Sequence, residues 1–105
     1  LEWRVPGADV NPYLAVAGVI ASIRDGIAHA IDPGPPSSGD AYQQETQKFP
    51  PHLGLAADAF LSSEWVAAAF GPAVAEQYGL TAQYEWNQFL DAVTDWELDR
   101  YFEVI

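Results

Sequence analysis

The helix that follows Asn11-Pro12 constrains the fold more than any other feature, because its first half is apolar on nearly every side. Asn is a good helix cap and Pro is favoured in the first turn, so we predict a helix over residues 11–31. Branched apolar residues recur at spacings of three and four, at Val16, Ile20, Ile23, Ile27 and Ile31. We therefore expect this helix to be buried against a large partner surface, of which the rest of the chain supplies little.

The first residues, Leu1-Glu2-Trp3-Arg4-Val5, alternate large apolar and charged side chains before a Pro-Gly turn. This period of two predicts a strand over residues 1–5. A single short strand needs neighbours to pair its backbone donors and acceptors. Because the chain also starts with Leu rather than Met, we expect a fragment cut from a larger protein that contains a sheet.

Residues 32–52 are predicted to form a loop, since the stretch from Asp32 to Gly39 holds three Pro, two Gly and two Ser. Apolar helical patterns return in residues 53–105, which we interpret as a helical cap. The sequence therefore predicts a mostly α fold with one N-terminal strand.

Two details of that cap can be checked directly. An amphipathic helix should open at Pro72, with Gly79 as its weakest point because glycine lowers helix propensity. Thr94 and Glu97 have the spacing of a capping box, which predicts a short final helix.

Charge and composition exclude several classes of function. The chain contains 4 Lys and Arg residues and 15 Asp and Glu residues, so its net charge is −11. A surface of this charge should repel phosphate backbones and anionic membranes. The chain has no Cys, which excludes disulfides and thiolate chemistry. The longest apolar run, Tyr13 to Ile23, is shorter than the ~20 residues of a bilayer span. We expect a soluble cytoplasmic protein that binds neither nucleic acid nor membrane.

Glu2 and Arg4 would share one face of the predicted strand. A carboxylate there can hold Mg²⁺ or Mn²⁺, and a guanidinium can grip phosphate or carboxylate oxygens with two hydrogen bonds. Without further context, such a pair is far more often an ordinary ion pair on the surface. The residues that follow it supply the context.

The run from Val5 to Leu14 reads Val-Pro-Gly-Ala-Asp-Val-Asn-Pro-Tyr-Leu. Together with Glu-x-Arg, it resembles the last active-site strand, turn and helix of the glutamine synthetase family. The likeness continues over nearly the whole chain, at Asp25-Gly26-Ile27, Asp32-Pro33-Gly34, Val93-Thr94-Asp95-Trp96-Glu97 and Arg100-Tyr101. The Gly-Ala-Asp turn and the Thr-Asp-Trp-Glu ending are closer to the branch that joins glutamate to polyamines and other amines.

The resemblance implies the C-terminal part of an α+β catalytic domain in an ATP-dependent ligase that forms a γ-glutamyl amide through γ-glutamyl phosphate. It assigns Glu2 to the divalent metal, and Arg4 to catalysis and to binding glutamate or the transferring phosphate. Asn11 is a helix cap that could also support the site from behind. The other metal and ATP ligands would lie upstream, the fragment alone would be inactive, and the whole enzyme would form a ring of identical subunits.

Other interpretations stay open at this stage. The acceptor could be ammonia, a polyamine or another amine, and the parent protein could have lost its activity. From a different class, the chain could be an acidic helical interaction module without chemistry. His29 and His52 lack partners at a metal-ligand spacing, so we interpret both as structural or solvent-facing.

Overall fold

A computed structural model describes residues 5–40, 43, 48–102 and 104. These residues form five α-helices: α1 (Pro12–Ala28), α2 (Leu53–Ser62), α3 (Glu64–Phe70), α4 (Pro72–Asp91) and α5 (Asp95–Tyr101). The chain divides into two compact units, residues 1–45 and residues 46–105.

The predicted N-terminal strand is not observed among the described residues. Its residues 1–4 lie outside the described residues, and Val5 lies in irregular backbone. No strand occurs anywhere in the described part of the chain, so the prediction of an α+β segment with one strand is wrong. The physical reason is that strand backbone must pair with a neighbour, and the described residues offer no second strand.

In the first unit, α1 begins as its sequence predicts and ends earlier. Asn11 is its N-cap and Pro12 its first residue, but the helix stops at Ala28 rather than Ile31. Ala30 takes a positive φ of 48°, and Ile31 N–H turns back to donate to Gly26 C=O at 3.0 Å. The Asp-Pro pair that follows also disfavours helix, because a residue before proline avoids the α conformation.

None of the apolar side chains of α1 is fully buried in the described part of the chain. The helix has no buried residue, and Tyr13 is 86% exposed. Four of its branched apolar residues are at least half exposed, namely Val16, Ile20, Ile23 and Ile27. Burial on every side was expected, and its absence follows from the lack of a partner surface within the described residues.

In the second unit, α2 packs mainly against α4, with α3 beside them. The core of this pair is built from small residues: Gly54, Ala57, Ala75 and Gly79. Ala57 is 2% exposed and Ala75 is 6% exposed. Small side chains let the two helices approach closely, so larger residues from each helix reach the backbone of the other.

Those larger residues are Leu61 and Trp86. A Cβ atom added to Gly79 of α4 would overlap Cγ and Cδ2 of Leu61 on α2. A Cβ atom added to Gly54 of α2 would lie 2.5 Å from Nε1 and 2.7 Å from Cδ1 of Trp86 on α4. Each helix therefore carries one glycine notch that receives a side chain from the other.

Capping residues define the remaining helix ends. Ser63 separates α2 from α3, and its Oγ accepts a hydrogen bond from Val66 N–H at 3.2 Å. Thr94 and Glu97 form the predicted capping box at the start of α5, which is confirmed. The C-terminal part of the apolar stripe of α4 is exposed, since Phe89 and Leu90 are both more than half accessible.

Within the described residues, no single helix is long and apolar enough to cross a membrane. The consecutive helices α2 and α3 reach that length and hydropathy only when taken together, and they are bent by 74° at their junction.

Candidate functional site

The two residues that the sequence assigns to catalysis and metal binding, Glu2 and Arg4, lie outside the described residues. Their roles therefore stay predictions. The described backbone starts directly after them with a turn, in which Val10 N–H donates to Gly7 C=O at 3.3 Å. The carboxylate of Asp9 folds back over this turn, so a Cβ atom on Gly7 would lie 2.6 Å from Asp9 Oδ1.

Asn11 connects the turn to α1. Its Oδ1 accepts hydrogen bonds from Tyr13 N–H at 3.0 Å and from Leu14 N–H at 3.3 Å. These are two of the backbone donors that a helix leaves unpaired at its N-terminus. The capping role of Asn11 is confirmed, while a supporting role behind a catalytic site stays a prediction.

His29 lies at the other end of α1, as its C-cap. Its Nδ1 is 3.0 Å from Asp25 Oδ1 and 3.2 Å from Asp25 backbone O. Both oxygens can only accept, so Nδ1 must carry a proton. The side chain is 70% exposed, and its contacts bind it to its own helix end, in agreement with a structural role.

Several polar side chains converge at a cleft between α2 and α4. Its volume is about 360 Å³, within the roughly 300–1,000 Å³ typical of small-molecule sites. The residues that line it are His52, Gly54, Leu55, Asp58, Gln83, Trp86 and Asn87. The spacing of these residues along the sequence does not mark them as one group.

His52 holds one side of the cleft. As the N-cap of α2, its Nδ1 accepts a hydrogen bond from Leu55 N–H at 3.3 Å. The neutral imidazole therefore carries its proton on Nε2, the opposite tautomer to His29. The ring stacks on Trp86 with a centroid distance of 4.6 Å and an interplanar angle of 8°. His52 is structural, as expected, and it also fixes the indole.

The opposite side of the cleft contains a carboxylate and two amides. Asp58 Oδ1 accepts a hydrogen bond from Gln83 Nε2 at 2.9 Å, which joins α2 to α4. Asn87 lies one helical turn beyond Gln83 and lines the same space. None of the described residues that line it is Lys or Arg. These residues present the carboxylate of Asp58 beside an aromatic wall.

A second hollow, of about 380 Å³, lies at α5 and is mostly apolar. Val93, Glu97, Leu98, Tyr101 and Phe102 line it. The ionised Glu97 belongs to the capping box, because Thr94 N–H and Thr94 Oγ1–H donate to its Oε2 at 2.8 and 2.9 Å.

Those two hydrogen bonds favour the ionised form of Glu97. They lower its pKa from the ordinary value of 4.5, the backbone bond contributing more than the side-chain bond. The carboxylate is therefore held at the start of α5, beside a mostly apolar wall.

A metal site needs several His, Asp or Glu side chains close together. The described residues contain no group of three or more His, Asp or Glu side chains that could hold a metal ion. The described part of the chain therefore does not fit a metal site by itself.

Comparison with known proteins identifies relatives along the whole chain. The sequence model described as "Glutamine synthetase, catalytic domain" matches residues 1–101. Gamma-glutamylethanolamide synthetase of Streptomyces coelicolor is 44% identical over 97% of this chain. Glutamine synthetase of Halobacterium salinarum is 36% identical over 97% of it, and glutamate–methylamine ligase of Methyloversatilis universalis is 35% identical over 98%.

These alignments cover 22%, 24% and 25% of the three relatives. The chain therefore spans about a quarter of the length of the curated proteins it matches. No solved structure matches it.

Proposed function

This chain belongs to the glutamine synthetase catalytic-domain family, and we propose that it is part of a ligase that joins the side-chain carboxylate of glutamate to an organic amine. The match over residues 1–101 carries the proposal. It agrees with the resemblance of the Glu-x-Arg segment and the Pro-Gly-Ala-Asp turn, which is confirmed at the level of the family.

The choice of an organic amine over ammonia rests on the relatives. Two of them are named for ethanolamide and methylamine products or substrates, and a third for isopropylamine. The relative named glutamine synthetase in Halobacterium salinarum is 36% identical, against 44% for the ethanolamide synthetase. A small primary amine is therefore the acceptor that we propose.

In the proposed reaction, a carboxylate oxygen of glutamate takes the γ-phosphoryl group of ATP and releases ADP. The amine nitrogen then attacks the acyl phosphate carbon, phosphate leaves, and the nitrogen loses a proton. Acyl phosphate and amine react readily once they are held together, so the work of the enzyme is positioning and charge neutralisation.

We assign the positive charge in this process to Arg4, whose guanidinium suits phosphate and carboxylate oxygens. Glu2 would serve as a carboxylate ligand of Mg²⁺ or Mn²⁺, which this family generally requires together with ATP. The described residues lack a metal-binding group of their own, so further ligands would have to come from other parts of the protein.

The described helices would then act as scaffold next to these two residues. Asn11 fixes the start of α1 seven residues after Arg4, through hydrogen bonds to Tyr13 and Leu14. Since α1 has no buried residue in this chain, its apolar side chains are available to pack on the rest of the protein. Cytoplasmic location and assembly into a ring remain part of the proposal.

The test compares Arg4→Gln, Glu2→Gln and the control Glu76→Gln in the intact protein. Phosphate release from ATP would be measured with glutamate and with ammonia, methylamine, ethanolamine, isopropylamine or a polyamine as acceptor. Arg4→Gln should slow turnover by about 100-fold, the usual effect of removing a group that stabilises the transition state. Glu2→Gln should raise the metal concentration needed for half-maximal activity.

Glu76 is an exposed carboxylate on α4, so Glu76→Gln changes the net charge without touching the proposed site. Unchanged turnover in Arg4→Gln would refute the assignment. If ammonia is the preferred acceptor, the proposal of an organic amine is refuted, but the proposed ligase activity stands. Absence of glutamate-dependent phosphate release with every amine would favour the rival, an acidic helical interaction module.

A further inference from the structure

We propose that His52 is a proton-sensitive cap of α2, which releases the first turn of this helix when its ring becomes charged and stays stacked on Trp86. The inference does not depend on the proposed ligase activity. It rests on the contacts that His52 makes with α2 and with α4.

His52 holds the start of α2 through two hydrogen bonds of different kinds. Its Nδ1 accepts from Leu55 N–H at 3.3 Å, and its backbone C=O accepts from Ala56 N–H at 3.2 Å. A charged imidazole carries a proton on both ring nitrogens and has no acceptor left. The bond from Leu55 therefore cannot exist when the ring is charged, whereas the bond from Ala56 does not need a neutral ring.

Both partners of the bond that is lost are accessible to solvent. His52 is exposed, and Leu55 is 48% exposed. Histidine is the side chain that ordinarily changes its charge between pH 5 and 8. A proton can thus reach the ring in this range, and water can take the place of the imidazole at the released N–H.

Two electrostatic influences act on a charged ring at this place. The positive end of the α2 dipole repels it, which adds to the loss of the acceptor at the helix end. Among the described residues that line the same cleft, Asp58 of α2 is the only other titratable group, since α4 contributes Gln83, Trp86 and Asn87. The carboxylate of Asp58 attracts a charged ring and offsets part of the repulsion.

Trp86 keeps the charged ring on α4. The two rings stack with a centroid distance of 4.6 Å and an interplanar angle of 8°, and an indole attracts a cation placed over its face. Release is therefore confined to the first turn of α2. Gly54 and Leu55 of this turn line the cleft together with His52, so proton uptake loosens one wall of the cleft while the wall on α4 stays in place.

His29 provides a comparison within the same chain, because its ring nitrogen already donates. Its Nδ1 lies 3.0 Å from Asp25 Oδ1 and 3.2 Å from Asp25 backbone O. A charged ring keeps both contacts and turns the first into an ion pair. Acid should therefore loosen the start of α2 and leave the end of α1 closed.

The experiment measures hydrogen exchange in the intact protein by mass spectrometry at pH 5, 6, 7 and 8. Each amide rate is divided by the rate of an unstructured peptide at the same pH, and exchange of the imidazole C–H reports the charge of His52. Leu55 should exchange about fivefold faster at pH 5 than at pH 8 on this relative scale, the factor for removing a helix cap. The change should follow the charge of His52.

Two substitutions at position 52 separate the cap from the stack. His52→Asn keeps an acceptor that does not titrate, so Leu55 should stay protected at every pH. His52→Phe keeps a ring that can stack on Trp86 and removes the acceptor, so Leu55 should exchange at the fast rate at every pH. The matched control is His29→Gln, which should retain the pH response of the wild type.

Four results would overturn the proposal. Equal relative exchange of Leu55 at pH 5 and pH 8 would show that the cap does not respond to protons. The same pH response in His52→Asn would assign it to another group, and its loss in His29→Gln would assign it to His29. Slow exchange of Leu55 in His52→Phe at pH 8 would show that the ring nitrogen does not protect this amide.

Discussion

Replacing Gly79 by Ala tests whether close approach of α2 and α4 or helix propensity controls the stability of the second unit. In an exposed helix, Ala is about 1 kcal/mol more favourable than Gly. At this position the added Cβ atom would overlap Cγ and Cδ2 of Leu61. Cγ is the branch carbon of the side chain rather than its flexible end, so relief requires a new rotamer or a shift of α2.

Overpacking of this kind costs about 1–3 kcal/mol. After subtraction of the propensity gain, we expect Gly79→Ala to lower the free energy of unfolding by about 1 kcal/mol. For a unit of this size, that corresponds to a fall in Tm of about 4–8 °C. Urea unfolding followed by tryptophan fluorescence would measure the difference, with circular dichroism as a second probe.

The double variant Gly79→Ala/Leu61→Ala supplies the decisive comparison. Once Leu61 is truncated, the notch is no longer filled, and Gly79→Ala should stabilise the protein by up to about 1 kcal/mol. The sign of the effect should thus reverse between the two backgrounds, which a double-mutant cycle detects directly.

Gly26→Ala is the matched control, because a Cβ atom there meets nothing within 4 Å. It should slow amide exchange in α1 regardless of Leu61. If Gly79→Ala stabilises the protein while Leu61 is present, Leu61 does not restrict the size of the residue at position 79. Helix propensity would then explain the change in stability by itself.

Two further predictions concern helix caps. Asn11→Ala should destabilise α1 by about 1 kcal/mol and speed exchange of its first amides, whereas Asn11→Asp should not; equal exchange in all three proteins would contradict the cap. The second prediction concerns Glu97, whose pKa in the folded state lies below the ordinary value of 4.5. Its hydrogen bonds with Thr94 therefore stabilise α5 fully above pH 4.5, and this stabilisation is lost as the pH falls through the folded-state pKa. The difference in Tm between the wild type and Thr94→Ala should therefore narrow on acidification below about 4.5. It should not narrow when the same comparison is made in a Glu97→Gln background.

The features that the sequence predicts correctly are local. The caps at Asn11 and Thr94 depend on side chains two or three residues from the groups they bind, so spacing alone reveals them. The prediction of a strand is wrong because a strand must pair with a second strand, and the described residues contain none. The end of α1 was placed too late because the positive φ of Ala30 has no glycine or asparagine to signal it.

Gly79 shows why contacts between helices were missed. Along the sequence it looks like a weak point of α4, since propensity is the only property that a single helix reveals. In the structure, Gly79 lies against Leu61 of α2, so the absence of a side chain at this position allows the two helices to pack closely. The polar cleft was missed for the same reason. His52, Asp58 and Gln83 form one group only when α2 lies against α4.

The two histidines illustrate where local reasoning could have gone further. A residue that caps the start of a helix must accept a hydrogen bond, and one that closes its end is best placed to donate. His52 and His29 stand at such opposite ends, so the first should accept a hydrogen bond and the second should donate one. Both assignments agree with the observed contacts. A position at a helix end does not reveal that the ring of His52 stacks on Trp86. Because of this contact between α2 and α4, the residue that caps α2 also lines the cleft that contains Asp58.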